Sequence, residues 1–312
     1  MKYSVGYQLR NERDFLEEIA RLKDGIREVY FSWGDFPNGR NSQLRKTGLT
    51  PWEAQRRQED DLIWLSEQGI RFNLLFNATC YGEDSQSRAF FHKIGDTVDY
   101  IGGRFGLESV TTTSPLIAKF IKANFPQLRT RASVNMGIGT VQGMDYLAQY
   151  YDSYYMKREL NRDFAQIVRL SDWCNKNGKT LHILANSGCL NHCSAHTFHD
   201  NLVAHEAQIA KMDNAYQFGG ICREYLKDPA HYESLIHDTS FIRPEDVSKY
   251  EPYFDAMKLA TRVHRCPEAV LASYVNRRFS GNILDLLEPA HSIYPYVIEN
   301  GNPLRLVKIE EV

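Results

Sequence analysis

No run of about 18 apolar residues occurs anywhere in this 312-residue chain, so a membrane-spanning helix is not expected. Its start, Met1-Lys-Tyr-Ser-Val-Gly-Tyr7, lacks the apolar centre of a secretory leader and goes straight into a strand-like alternation. No excess of positive charge exists either. Lys and Arg number 37 against 39 Asp and Glu, a net charge of −2, which excludes a basic field and argues against an obligatory nucleic-acid partner. A local basic groove for RNA stays open. No Gly-x-Gly-x-x-Gly fingerprint or phosphate-binding P-loop is present, and no Gly-x-Ser-x-Gly elbow supports a serine hydrolase. Gly137-Ile-Gly-Thr140 is at most a weak phosphate signal. Cysteines are scarce, six in all. In a chain of this size without a leader, they point to reduced thiols or a metal site in a cytoplasmic protein rather than to disulfides.

What is there is an ordinary globular composition, 43% hydrophobic and 24% charged, and a steady alternation of strand and helix signals. Strands are expected over residues 3–9, 28–33, 71–76, 109–113, 131–135, 151–156, 180–185 and 257–260. Asn11 is expected to cap the first helix, Thr50-Pro-Trp-Glu53 forms a capping box, Ser114-Pro115 opens another helix, and Asn161 caps a later one. Gly69 and Gly178 close two of these helices, and the last runs from Pro267 to about Arg278. Eight strand–helix units in this length predict an α/β fold, a (β/α)8 TIM-type barrel, with a doubly wound open sheet as the alternative. No linker, repeat or low-complexity tract breaks residues 1–312, so one domain is expected, with a long cysteine-bearing insertion at about 186–254 between strands seven and eight. Loops that long usually carry function.

The active site of such a barrel lies at the carboxyl ends of its strands. That rule gathers Trp33, Asp35, Arg40, Asn77, Cys80, Asn135, Arg158, Glu159, Cys189, Arg262, His264 and Cys266 at one rim. Cys189 and Cys193, in Asn186-Ser-Gly-Cys-Leu-Asn-His-Cys193, are two soft ligands close enough to share one metal, and Cys222 and Cys266 complete four thiols. Cys266 precedes Pro267, where a helix N-terminus favours the thiolate. Ligands contributed singly from several rim loops suit a four-iron–four-sulfur cluster better than a structural zinc knuckle, although zinc stays an alternative. The radical-SAM spacing fails at His196, which is itself a possible nitrogen ligand, and Cys80 is another substitute. Cys174, on the apolar face of its helix, reads as core. Arg40, Asn77, Asn135 and Arg262 are the expected substrate-binding residues, with Arg158, Glu159 and His192 as the candidate catalytic groups. His192, His196, His199 and His205 cluster in fourteen residues, beside Glu206.

The order of these features resembles the collagenase-like peptidases of unknown catalytic type, family thirty-two of the unassigned peptidases. The resemblance is carried by Val29-Tyr-Phe31 with Arg40 downstream, Arg158-Glu-Leu160, the exit into Cys189, Phe241-Ile-Arg-Pro-Glu-Asp246 and Lys258-Leu-Ala-Thr-Arg262. It implies a barrel and a cysteine-bound four-iron–four-sulfur cluster. Relatives include oxygen-independent hydroxylases acting on ubiquinone precursors or on ribosomal or transfer RNA. The family's first two cysteines typically have six residues between them; here Cys189 and Cys193 have three, which marks a divergent branch. The expected function is an oxygen-independent redox modification, a hydroxylation, of a small molecule or RNA. The alternatives are a metal-dependent peptidase or hydrolase, and a non-catalytic iron–sulfur subunit working with a protein partner.

Overall fold

The computed structural model describes residues 1–40, 47–216 and 218–309. Eight parallel strands close into a barrel in sequence order: β1 (Lys2–Gly6), β2 (Ile26–Phe31), β3 (Phe72–Phe76), β4 (Ser109–Thr112), β5 (Arg129–Ala132), β6 (Ser153–Tyr155), β7 (Thr180–Leu184) and β8 (Ala256–Leu259), which pairs back onto β1. The helices α1 (Asp14–Arg21), α2 (Pro51–Glu67), α3 (Arg88–Phe105), α4 (Pro115–Asn124), α5 (Val141–Asp145) and α6 (Phe164–Lys176) fall between them. The insertion after β7 holds four short helices: α7 (His196–Ala204), α8 (Glu206–Ile209), α9 (Ile221–Tyr225) and α10 (Ser234–His237). Beyond β8 come α11 (Pro267–Val275) and an antiparallel pair, β9 (Tyr296–Glu299) and β10 (Arg305–Lys308). The (β/α)8 barrel is therefore the fold. Among the described residues no helix is long and apolar enough to cross a membrane.

Several boundaries differ from expectation for local reasons. The Thr50 capping box forms as read, with Thr50 Oγ1 accepting from the Glu53 N–H and the Glu53 carboxylate accepting from the Thr50 N–H. Asn11 caps nothing; α1 starts at Asp14, whose carboxylate accepts its neighbour's N–H at 2.9 Å. Asp163, not Asn161, caps α6. The Asn161 amide is instead buried and donates to Leu184 O at 2.7 Å and Ser240 O at 2.9 Å, tying the end of the insertion to β7. β5 stops at Ala132, so Asn135 sits in a 3₁₀ turn beyond the strand rather than at its end. The last helix ends at Val275, and Arg277 then takes a left-handed conformation with φ 53°. The β9–β10 pair has no counterpart in the sequence reading.

The apolar core lies between strands and helices, where Val5, Val29, Leu74, Val110, Ile183 and Leu259 meet Leu16, Leu62, Ile101, Ile117, Leu170 and Leu271. The bore of the barrel is different. Bores of this fold are usually filled by layers of branched apolar side chains, but here Ser4, Glu28, Asn73, Ser109, Thr111, Arg131, Ser153, His182 and Lys258 are all buried. Arg131 forks onto both oxygens of Glu28, with Nη2 donating to Oε2 at 3.2 Å, and its Nε donates to Ser153 Oγ at 3.2 Å. Ser4 donates to Glu28 at 3.1 Å, and Asn73 links Ser109 at 2.6 Å to Thr111 at 2.9 Å. Burial alone would push the Glu28 carboxyl up, but the charge and hydrogen bonds of Arg131 hold it below its ordinary value.

Breaking such a pair from one side strands a buried charge. Arg131→Met should lower unfolding stability by about 3–5 kcal/mol, and Glu28→Met combined with Arg131→Met should recover most of that loss. Urea unfolding followed by circular dichroism checks this. Equal losses in single and double variants would mean that the stranded charge is not the cause.

Candidate functional site

A pocket opens at the carboxyl ends of the strands. Its walls bring together Tyr30, Gly39, Arg40, Asn77, Asn135, Arg158, Cys189, Asp200, Lys258, Arg262 and Glu288, contributed by strands, loops and α7 spread over most of the chain. Six of these were expected from the strand-end rule: Arg40, Asn77, Asn135, Arg158, Cys189 and Arg262. Close backbone approach makes the first wall. Gly39 N–H donates to Asn77 Oδ1 at 3.1 Å, and Asn135 Nδ2 donates to Asn77 O at 3.2 Å. A Cβ on Gly39 would lie 2.9 Å from the Asn77 amide nitrogen and 3.0 Å from that of Asn135, so only glycine lets these groups meet. Gly6 has the same role at the floor, where a Cβ would lie 2.4 Å from Arg262 Cγ and 2.8 Å from the Tyr30 ring.

The three arginines give the pocket its sign. The buried Arg262 donates to Asn38 Oδ1 at 3.3 Å, Arg40 to the Gly39 carbonyl at 3.3 Å, and Arg158 meets the His196 ring. Among the described residues none of the three reaches a carboxylate at salt-bridge distance; His196 is the group that pairs with Asp200, at 3.1 Å. Burial, with the Arg40 charge beside it, pushes the Arg262 guanidinium down to about 10, and burial then Arg158 lower the His196 ring below its usual value. Unneutralised cations in a half-closed cleft focus a field that attracts an anion. Glu288 and Asp200 are the carboxylates among the lining residues, and burial raises the proton affinity of Glu288 even though Arg40 and Arg223 oppose the shift.

Cys189 is held at this wall by a backbone clamp. Asn186 Oδ1 accepts from Ala260 N–H at 2.6 Å and its amide donates to Leu286 O at 2.8 Å, while Gly188 N–H donates to Glu288 O at 3.1 Å. Gly188 packs so tightly that a Cβ there would sit 2.2 Å from Pro289 O. Cys193 and Cys222 are near enough that the charges of Cys189 and Cys193 add to burial in raising the Cys222 thiol. Of these three thiols only Cys189 lines the pocket, and among the described residues no three His, Cys, Asp or Glu side chains converge tightly enough to enclose an ion. Cys266 N-caps α11 as expected but is exposed and does not line the pocket. Cys80 lies elsewhere, its thiol lowered by the Gly82 N–H and by His205. Cys174 is buried core, pushed up to about 12 by burial.

No family model matches the chain. It is 26% identical over 308 residues to a Methanocaldococcus jannaschii protein described as "Uncharacterized protease MJ1657", covering 93% of this chain and 84% of that one. It also superposes on "The Structure of the U32 Peptidase Mk0906" with a TM-score of 0.59 at 14% identity, over 83% of this chain and 92% of that one, a likeness of fold. The sequence likeness is thus to a protein described as a protease, and the fold likeness to a U32 peptidase.

Two of the expected catalytic groups stand off the pocket. His192 is exposed with a left-handed backbone at φ 58°, and Glu159 faces Lys157 at 3.6 Å; neither lines the cavity. His196, paired with Asp200 one helical turn further along α7, contacts Arg158 instead. Lys258 and Glu288 were not foreseen as site residues. Lys258 carried a signal, a lysine inside the apolar strand Ala256-Met-Lys-Leu259, whereas Glu288 lies in an irregular segment after α11 whose return to the pocket no local pattern announces.

An anion should therefore stabilise the protein through these arginines. Inorganic phosphate should raise the melting temperature of the wild type, since a ligand bound only by the folded state adds stability by mass action. Arg40→Ala combined with Arg262→Met should abolish that increase without lowering the ligand-free melting temperature by more than a few degrees, because a desolvated charge is removed. An undiminished phosphate effect in the double variant would refute the assignment of the anion to this pocket.

Proposed function

We propose that this barrel is an enzyme that binds an anionic small molecule between Arg40, Arg158 and Arg262 and modifies it by oxygen-independent redox chemistry beside a cysteine-bound iron–sulfur cluster. The observation that carries the reading is that Cys189 lines a pocket whose three arginines, among the described residues, have no carboxylate at salt-bridge distance, while Cys189 and Cys193 lie near enough to Cys222 to raise its thiol. Thiols are the donors such a group takes, and charge on Cys189 and Cys193 opposes ionisation of Cys222, a repulsion that a bound cationic cluster would remove. Cys189, Cys193 and Cys222 would hold it, with Cys266 as the fourth thiol read from the sequence and His196 or Cys80 as substitutes. When bound, a cluster of this kind supplies one-electron redox chemistry at the pocket mouth.

The chain's own residues do the rest. Arg40 and Arg262 seat the anionic group, and the Arg158 guanidinium is oriented by His196, itself held by Asp200. Asn77 and Asn135, locked together through Gly39, present fixed amides for polar substrate atoms. Glu288, whose carboxyl holds its proton more tightly than usual, is placed to donate a proton at the reacting atom. The net charge of −2 favours a small anion over RNA as substrate.

The second reading is a metal-dependent peptidase, favoured by the descriptions of the M. jannaschii protein and the U32 structure. It calls for zinc and a colourless protein.

Protein purified without oxygen should contain about four irons and four sulfides per chain and show a broad visible band. Cys189→Ser, Cys193→Ser and Cys222→Ser should each lose most of both, whereas Cys174→Ser should keep them. One zinc and no iron in the wild type would overturn the redox reading in favour of the hydrolase.

A further inference from the structure

Lys258 is the one cation of the pocket that the proposed function leaves idle. It lies in β8 with only 8% of its surface exposed, and its Nζ sits 4.1 Å from the Tyr30 ring centre and 5.2 Å from that of Tyr155. The Tyr30 hydroxyl donates to Leu259 O at 2.7 Å, so the amine faces the ring and not the phenol oxygen. Glu28, a buried carboxylate nearby, is occupied on both oxygens by Arg131. Arg262, four residues on, and Arg131, deeper in the bore, present like charges, and the buried His182 ring stays neutral because burial and then Arg131 push it far down. A lysine this buried is normally paired. Here the amine lines the pocket, beneath the arginines.

We propose that Lys258 is a nucleophilic amine that forms a Schiff base with the carbonyl carbon of an anionic aldehyde or keto acid held by Arg40 and Arg262. The geometry supplies what the reaction needs: an amine at the pocket floor, aromatic faces that exclude water around it, and an anchor for the substrate's charged end above it. Desolvation first, then the Arg262 and Arg131 charges, push the amine down to about 7, so a large share of it is unprotonated at neutral pH. An exposed lysine has roughly a thousandfold less free amine at that pH. In the step, the nitrogen lone pair attacks the carbonyl carbon, the C=O bond becomes C=N, and both amine hydrogens leave with the oxygen as one water. No electrons are gained or lost. The inference rests on the anion-binding part of the proposed function and is independent of the cluster.

Glyoxylate, a small aldehyde carrying a carboxylate, is the probe. The full chain is incubated with it at neutral pH, reduced with borohydride and mapped by peptide mass spectrometry, with thermal stabilisation by inorganic phosphate measured on the same preparation. The expected result is one dominant carboxymethyl-lysine at Lys258, suppressed by added phosphate and absent in Lys258→Met. Label spread over exposed lysines with Lys258 unmodified, while phosphate still stabilises the protein, overturns the Schiff base and leaves the pocket standing. Unmodified Lys258 together with no phosphate stabilisation overturns both.

Discussion

The buried Glu28–Arg131 pair is the contact on which the rest of the molecule depends. It sits in the bore of the barrel, where most of its hydrogen-bonding capacity is used by Ser4, Ser109, Ser153 and the Glu28–Arg131 fork itself. A bore built this way gains little from apolar burial, so the fold relies on the outer layer between strands and helices for its hydrophobic stabilisation. The bore network gives rigidity instead. Because both Glu28 oxygens are committed below, Lys258 has no counter-ion at salt-bridge distance among the described residues, and the aromatic rings of Tyr30 and Tyr155 flank it. The chemistry at the mouth follows from the bookkeeping of charge at the base.

Above that floor the same principle recurs with the opposite consequence. Arg40, Arg158 and Arg262 are brought to one cavity by loops after β2, β6 and β8, and each is tied down by a neutral partner: a carbonyl, an imidazole or an amide. Neutral anchors fix position without cancelling charge, which is how a site is readied for an anion. Cys189 adds a thiol to the same pocket, where Gly188, Asn186 and the Glu288-Pro289 segment clamp it.

Much of this was legible in the sequence, and the limits are physical. Strand periodicity and turn residues gave the eight-stranded barrel, and the strand-end rule alone assembled six pocket residues distant in sequence. Caps were less secure. Asn11 and Asn161 have the right chemistry for capping, but tertiary burial claimed Asn161 for two carbonyls and Asp163 took its place. His192 looked catalytic by its company, and a single left-handed residue in the loop turns it to solvent, which no local pattern encodes. Glu28, Arg131 and Lys258 hid because a charged residue in a strand reads as a solvent-facing position. Only closure of the barrel turns that face inward.

The central claim is that Cys189, Cys193 and Cys222 hold an iron–sulfur cluster against an anion-binding pocket. Crystals grown without oxygen, with diffraction collected on either side of the iron absorption edge, test it most directly. The account predicts an iron anomalous peak bonded to those three sulfurs and facing Arg40 and Arg262. An iron peak bound elsewhere, or a peak at the zinc edge alone, would contradict it.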